Sequence, residues 1–133
     1  LFNRDGGPEP PVGISVPQAM YDDFVKISEP IQKIRPDYPF EVKVREPRKR
    51  PTRMGGTDAS VFAIEGVPTL GFTTEDFKGY DFDYGEIWHT ERDLYTKNIP
   101  EYQEHTATVT AIIALGVANL DKQLSREGLY TEE

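Results

Sequence analysis

The sequence predicts an α/β fold in which helices cover a layered, mainly parallel sheet. Apolar residues recur every three or four positions over residues 20–31 and again over residues 109–124, as expected for two amphipathic helices. Two strand-like segments lie between them. Residues 40–44 alternate apolar and polar side chains, as expected near a sheet edge, and residues 67–73 form a continuous apolar run. Strands that alternate with helices favour parallel pairing, because each helix returns the chain to the starting side of the sheet.

A short buried strand is predicted over residues 1–5, ending at the Gly6-Gly7-Pro8 turn with Asp5 exposed at its tip. Ligands of α/β sheets bind at the carboxyl ends of the strands, so Asp5 is a candidate site residue. The alternative is that Asp5 only starts a turn by bonding its own backbone.

The first long helix begins at Ser15 or Pro17. Pro30 is expected to end or kink it near Ser28 or Glu29, because proline removes a backbone hydrogen bond. Helices usually end at or before the residue that precedes a proline.

The last helix begins at Pro100 and is the most regular element of the sequence. Its apolar stripe reaches Leu124, and acidic residues near its start and basic residues near its end complement the helix dipole. His105 falls off this stripe, so we expect it on the surface.

A glycine-rich turn over residues 55–58 leads into a short helix that ends at Gly66. The side chain of Thr57 or Asp58 is expected to cap the exposed amides at the start of this helix. Asp58 is also a candidate site carboxylate, a role that is compatible with capping.

Two irregular segments are each rich in one kind of side chain. Residues 45–53 hold five cations and two prolines and predict a solvated loop. The alternative is that these cations bind an acidic substrate group or the rest of a parent protein. Residues 75–86 place Phe77, Tyr80 and Phe82 among acids and glycines, which favours the wall of a pocket. Packing over an edge of the core is the alternative for these aromatic residues.

The composition limits the classes of partner. The 133 residues carry a net charge of -8, which repels phosphate backbones and anionic lipids, so neither nucleic acid nor membrane insertion is expected. Cysteine is absent, so a metal site would need His, Asp or Glu ligands. One domain with one core fits this length.

The stretch from Tyr84 to Asp93 contains the strongest candidate for a site residue. It places His89, one of two histidines, between Trp88 and a run of hydroxyl and acidic side chains. Imidazole is a common metal ligand, and an irregular segment can aim it at a site. An ordinary loop histidine is the alternative, since one ligand does not make a metal site.

Three blocks of the sequence together resemble the carboxyl-terminal half of the catalytic domain of the co-catalytic di-zinc exopeptidases. In family order the blocks are Asn3-Arg4-Asp5-Gly6-Gly7, then Gly56-Thr57-Asp58 leading to Gly66-Val67-Pro68, then Trp88-His89-Thr90 with Asp93. The family includes plasma glutamate carboxypeptidase, bacterial leucine aminopeptidases and glutaminyl cyclases. The resemblance covers roughly residues 1–124 and is greatest to the first of these branches, because of the Asp-Gly-Gly sequence.

The resemblance implies a hydrolase that uses two zinc ions to cleave peptide bonds at a chain end. Asp5 and His89 would bind one zinc. The family's other ligands and its general-base glutamate fall upstream, so no catalytic residue is expected within this chain. Asp58 corresponds to an aspartate that lies beside the site, with Thr57 lining it, whereas Ala59 stands where many members have histidine.

The resemblance also assigns residues 1–126 to the carboxyl-terminal portion of a zinc peptidase catalytic domain and residues 127–133 to a flexible tail. The implied partners are a peptide or amino-acid-derivative substrate and the missing amino-terminal half of the domain. Export of the parent protein is implied by the resemblance alone. The isolated chain is expected to be inactive and to bind zinc weakly or not at all.

Two alternatives remain open at this point. The chain could be a non-catalytic binding or assembly domain on a peptidase scaffold. It could also be an unrelated α/β domain in which Asp5 and His89 lie apart.

Overall fold

The computed structural model describes residues 1–131. In this part of the chain the strands are β1 (Pro11–Val16), β2 (Glu41–Val44) and β3 (Phe72–Thr74). The α-helices are α1 (Tyr21–Ile34), α2 (Ala59–Ile64), α3 (Tyr84–Ile87) and α4 (Pro100–Ala118). Two short 3-10 helices, Gln18–Met20 and Tyr95–Lys97, precede α1 and α4 respectively.

The three strands form one mixed sheet in the order β2-β1-β3. β1 pairs with β2 in parallel, which requires a crossover, and α1 provides it. β3 pairs with β1 in antiparallel fashion, because the chain from β2 to β3 stays at one end of the sheet. The α/β class and the edge position of β2 are therefore confirmed, whereas the sheet is mixed rather than mainly parallel.

One hydrophobic core lies between the sheet and the two long helices, which pack against each other. Its buried members come from β1, α1, α4 and the flanking loops: Ile14, Val16, Met20, Phe24, Ile27, Ile31, Leu70, Val109, Ile113 and Leu129. A Cβ atom at Gly116 of α4 would lie 2.4 Å from Cγ2 of Ile27 in α1. The glycine therefore lets the two helices approach closely.

The amino-terminal strand prediction is wrong. Within residues 1–5 the pairing is limited to an isolated parallel bridge between Phe2 and Leu70, next to which Leu1 donates to the Pro68 carbonyl and accepts the Leu70 amide, both at 3.0 Å. The central strand is instead β1, which begins at Pro11, just after the predicted turn. Proline is tolerated at the first residue of a strand because it lacks only a donor. Asp5 therefore lies in a loop that precedes β1 and not at the end of a strand.

The predicted end of the first helix is also wrong, because α1 continues through Pro30 to Ile34. The amide that Pro30 lacks would have bonded the carbonyl of Lys26, and both residues are exposed, so water can hydrate that carbonyl. Ile27 and Ile31 lie on the buried side of the same turns and bind the helix to the core. Tertiary packing thus outweighs the local proline signal.

The short helix α2 is confirmed, including its stop at Gly66, whose φ of 73° is in the left-handed region. The predicted side-chain cap is absent, since neither Thr57 nor Asp58 bonds an amide of α2 through its side chain. The Thr57 carbonyl accepts the Ser60 amide instead, at 3.1 Å. The apolar run over residues 67–73 pairs as a strand only from Phe72, where β1 lies alongside.

The basic loop over residues 45–53 is largely exposed, as predicted. Arg48 forms an isolated bridge with Tyr130, and its carbonyl accepts the Thr131 amide at 3.1 Å. Leu129 is 1% exposed and belongs to the core. Residues 127–131 therefore pack against the domain where a flexible tail was predicted, and residues 132–133 lie outside the described part of the chain.

Candidate functional site

A cavity of about 760 Å³ lies between the loop that precedes β1 and the segment from α3 to the start of α4. Asp5 lines it from the first side, and His89 and Asp93 line it from the second. The other lining residues are Arg4, Gly6, Gly7, Pro8, Tyr84, Ile87, Trp88, Leu94, Tyr95, Lys97, Asn98, Gln103 and Thr106. The two residues predicted to bind metal therefore share one cavity, although they lie near opposite ends of the sequence.

Two contacts hold the Asp5 loop against the segment that carries His89. The Tyr84 hydroxyl donates to the Asp5 carbonyl at 3.1 Å. A Cβ atom at Gly7 would lie 2.5 Å from Cε1 of Phe82, so only glycine permits this approach. The Arg4 guanidinium folds the loop onto itself by donating to the Gly7 and Glu9 carbonyls.

The His89 segment is built on the single turn of α3. The Asp83 side chain accepts the Gly85 amide at 2.8 Å and caps this turn, while Ile87 anchors it in the protein interior. The Thr90 hydroxyl donates to the Glu86 carbonyl at 2.9 Å and closes the turn from the other end. These local bonds fix the backbone on both sides of His89.

His89 itself has a φ of 55°, a left-handed conformation that is uncommon for any residue other than glycine. Its exposed imidazole ring packs edge-on to Trp88, with ring centroids 4.8 Å apart. Neither ring nitrogen of His89, nor the carboxylate of Asp5, has a hydrogen-bond partner within the described residues. Both side chains therefore have free lone pairs at the cavity.

The ligand set for a metal is incomplete in this chain. Asp5, His89 and Asp93 are of the ligand types that zinc takes, and all three line the cavity. Across residues 1–131, however, no group of three or more His, Cys, Asp or Glu side chains is arranged to hold a metal ion. The residues present are of types that zinc takes, and a zinc site here would need further ligands.

Thr57 and Asp58 do not line this cavity. Both are exposed in the loop that precedes α2. Asp5 and His89 therefore line the same cavity, whereas Thr57 and Asp58 of the second sequence block lie outside it.

The three aromatic residues predicted to form a pocket wall are divided between two places. Phe77 stacks against Tyr102, with ring centroids 5.7 Å apart, and is partly buried at the edge of the core. Tyr80 and Phe82 line a separate cavity of about 550 Å³ beside the start of α4. None of the three is among the residues that line the cavity of Asp5 and His89.

Glu101 ties this aromatic loop to the first turn of α4. Its carboxylate accepts hydrogen bonds from the hydroxyls of Tyr38 and Tyr80 and pairs with the Lys78 ammonium. These donors lower the pKa of Glu101 to about 2, with the Lys78 bond the largest cause. Burial, with a bond to Asp76, raises the pKa of Tyr102 to about 12. The cluster keeps Glu101 charged and fixes the loop.

Sequence reasoning missed the aromatic residues that do line the cavity. Tyr84 and Trp88 belong to the stretch that contains His89, so their proximity to it was a usable signal. Tyr95 lies on a short 3-10 helix and carried no signal in the sequence. Arg4 belongs to the first sequence block but was not predicted to line a site.

His105 was predicted on the surface, and this prediction is wrong because the residue is 0% exposed. Its ring stacks on Tyr38 with centroids 4.1 Å apart, and Nε2 lies 3.1 Å from the Pro11 carbonyl. A carbonyl only accepts, so Nε2 carries the proton and Nδ1 is left with a buried lone pair that has no partner in the described chain. His105 precedes Val109 by four residues and Ile113 by eight, so the three side chains lie on one buried face of α4 and the apolar stripe continues back to His105.

This burial predicts a pH-dependent stability. Desolvation is the main cause that holds the pKa of His105 below its ordinary value of 6.5. The unfolded chain therefore takes up a proton that the folded chain refuses, and stability is lost as the pH falls through about 6.5. The slope from this group is at most about 1.4 kcal/mol per pH unit.

We expect the free energy of unfolding in urea to fall between about pH 7.5 and about pH 5, and the His105→Phe variant to show a smaller decrease. Phenylalanine keeps a ring against Tyr38 but does not titrate. An equal decrease in the variant would contradict a role for His105.

Comparison with protein-family models, with curated proteins and with solved structures finds no match to this chain. Among residues 1–131 no helix is both long enough and apolar enough to cross a membrane. The resemblance to the di-zinc exopeptidases is therefore an expectation from the three sequence blocks alone, which these comparisons do not test.

Proposed function

We propose that this chain contributes Asp5 and His89 to the zinc site of a co-catalytic exopeptidase, which hydrolyses peptide bonds at a chain end. The observation that carries the proposal is that these two side chains line one cavity although the sequence separates them widely. Their lone pairs are not taken by other described residues, as a ligand role requires. The second zinc, the shared ligand and the general base would come from outside these 133 residues.

Each residue has a defined part in this proposal. Asp5 offers a carboxylate oxygen and His89 an imidazole nitrogen, both ordinary zinc ligands. The bound metals would supply an activated water and polarise the scissile carbonyl. The Tyr84 hydroxyl, through its bond to the Asp5 carbonyl, positions one ligand relative to the other. The three-stranded sheet would be part of a larger αβα sandwich that binds a peptide or amino-acid derivative.

The alternative is a non-catalytic binding or assembly domain on the same scaffold. It is favoured by the aromatic residues Tyr84, Trp88 and Tyr95, which line the cavity of Asp5 and His89. A cavity with aromatic walls would then bind a ligand without turning it over.

Metal content and activity, measured together, test the proposal. The purified 133-residue chain, dialysed against a mild chelator, should retain no stoichiometric zinc and hydrolyse no amino-acid amide, yet unfold cooperatively on heating. A longer protein that also contains the residues encoded upstream of Leu1 should retain zinc and hydrolyse the amino-acid amide. Turnover by the short chain would contradict the partial-site proposal, and activity in neither protein would favour the binding domain.

A further inference from the structure

Exposed aromatic side chains are concentrated around the cavity of Asp5 and His89. Tyr95 is 91% exposed, Trp88 60% and Tyr84 41%, and all three line this cavity. Large aromatic surfaces left in water around a concave site mark a place where a ligand removes that surface from solvent. Tyrosine and tryptophan are also the residue types that most often dominate binding energy.

Both cations of the cavity already bond to groups of the protein. Lys97 pairs with Glu86 at 3.2 Å. Arg4 donates to the carbonyls of Gly7 and Glu9 within its own loop. The charge of Lys97 is offset by Glu86, so a carboxylate on a ligand side chain would share this cation with an anion already present, whereas an apolar side chain needs no ionic partner.

The carboxylates at the cavity also disfavour an acidic ligand. The side-chain carboxylates of Asp5 and Asp93 take part in no hydrogen bond or ion pair with another described residue. Two free anions repel an acidic side chain in the metal-free chain. Charge and aromatic surface therefore both select against an acidic ligand.

From this we infer that the cavity binds a peptide end carrying an aromatic or large apolar side chain in preference to an acidic one, with Trp88 and Tyr95 as the specificity-determining residues. That the ligand is a peptide end rests on the proposed function. The preference for an apolar side chain rests on the lining alone. Phe77, Tyr80 and Phe82, which sequence reasoning selected as the wall, would have no part in this selection.

The chain contains its own reporter, because Trp88 is its only tryptophan and lines the cavity. We would titrate the metal-free chain with four dipeptides, alanyl-phenylalanine, phenylalanyl-alanine, alanyl-glutamate and glutamyl-alanine, and follow Trp88 fluorescence. The two orders test which end of a peptide enters. At least one phenylalanine peptide should bind about tenfold more tightly than its glutamate counterpart.

Variants at Tyr95 test the contact without risk to the fold, since this side chain is almost fully exposed. Tyr95→Ala should weaken binding of the phenylalanine peptide about three- to tenfold, the effect of one aromatic contact, and Tyr95→Phe should retain it. Phe62→Ala, which removes an exposed aromatic residue of α2 away from the cavity, is the matched control and should bind as the unmodified chain does.

Equal binding of the phenylalanine and glutamate peptides, tighter binding of the glutamate peptides, or no binding of any of the four would overturn the inference. So would an equal effect of Tyr95→Ala and Phe62→Ala. Because these titrations use no metal and no turnover, a phenylalanine preference in a protein that never holds zinc would support this inference while the zinc peptidase proposal fails. Zinc-dependent activity that prefers glutamate peptides would give the reverse result.

Discussion

The Gly13→Ala variant should lose about 3 kcal/mol of unfolding free energy, the upper part of the range for overpacking a tight interior. Gly13 lies in the central strand, opposite Glu41 of β2 on one side and Thr73 of β3 on the other. A Cβ atom at this position would lie 2.5 Å from the carbonyl oxygen of Glu41. The obstructing atom belongs to the backbone, so no side-chain rotation can relieve the clash, and the parallel pair must separate.

The matched control is Gly71→Ala, at a glycine whose added Cβ would meet nothing within 4 Å. This variant should stay within about 0.5 kcal/mol of the unmodified chain, as surface substitutions usually do. Urea denaturation followed by far-UV circular dichroism measures both variants. Equal stability of the two variants would contradict the close parallel pairing of β1 with β2.

The second large effect concerns the proposed zinc ligands in the longer protein. His89→Ala should lower kcat/KM by more than about a hundredfold. Removing a residue that only supports a metal ligand can lower activity by about a hundredfold, and removing the ligand itself should cost more. Asp5→Ala should do the same, with loss of bound zinc in both variants. Asp22→Asn, at an exposed carboxylate in the first turn of α1, should leave zinc content and activity unchanged.

For Asp58 the family resemblance and the observed structure lead to different expectations. The resemblance implies that it supports the site, whereas the folded chain leaves it exposed and outside the cavity lining. Asp58→Asn should therefore reduce activity much less than His89→Ala. A loss as large as that of His89→Ala would show that Asp58 approaches the metal in the complete enzyme.

Periodicity predicted the elements whose local and tertiary preferences agree. The edge strand β2 and the stop of α2 at Gly66 were found where the sequence predicted them. Helix α4 begins at Pro100 as predicted but ends at Ala118, whereas its apolar stripe predicted a helix to Leu124. Pro30 misled the reading of α1, because the cost of a missing amide on an exposed turn is smaller than the gain from burying Ile27 and Ile31 on the same helix. A proline in the sequence indicates a local break but carries no information about how the opposite side of the helix packs.

Strand pairing was predicted least well, because it depends on neighbours that are distant in sequence. Residues 1–5 have the composition of a strand, yet their pairing with residues 68–70 does not continue beyond Phe2. His105 was misplaced for a different reason: it lies four residues before Val109, on the buried face of α4, but a pattern read from apolar residues alone leaves a histidine out. The shared cavity of Asp5 and His89 was anticipated only through family resemblance, because spacing alone does not bring such distant residues together.

The most direct test of the central claim is a double-mutant cycle on metal affinity in this chain. Co²⁺, a spectroscopic substitute for zinc, should quench Trp88 fluorescence weakly and saturably, because His89 packs against Trp88. Asp5→Ala and His89→Ala should each remove most of this binding, and the double variant should lose little more, since both residues would hold one ion. Additive losses, or quenching that persists in His89→Ala, would contradict the claim that Asp5 and His89 share a metal.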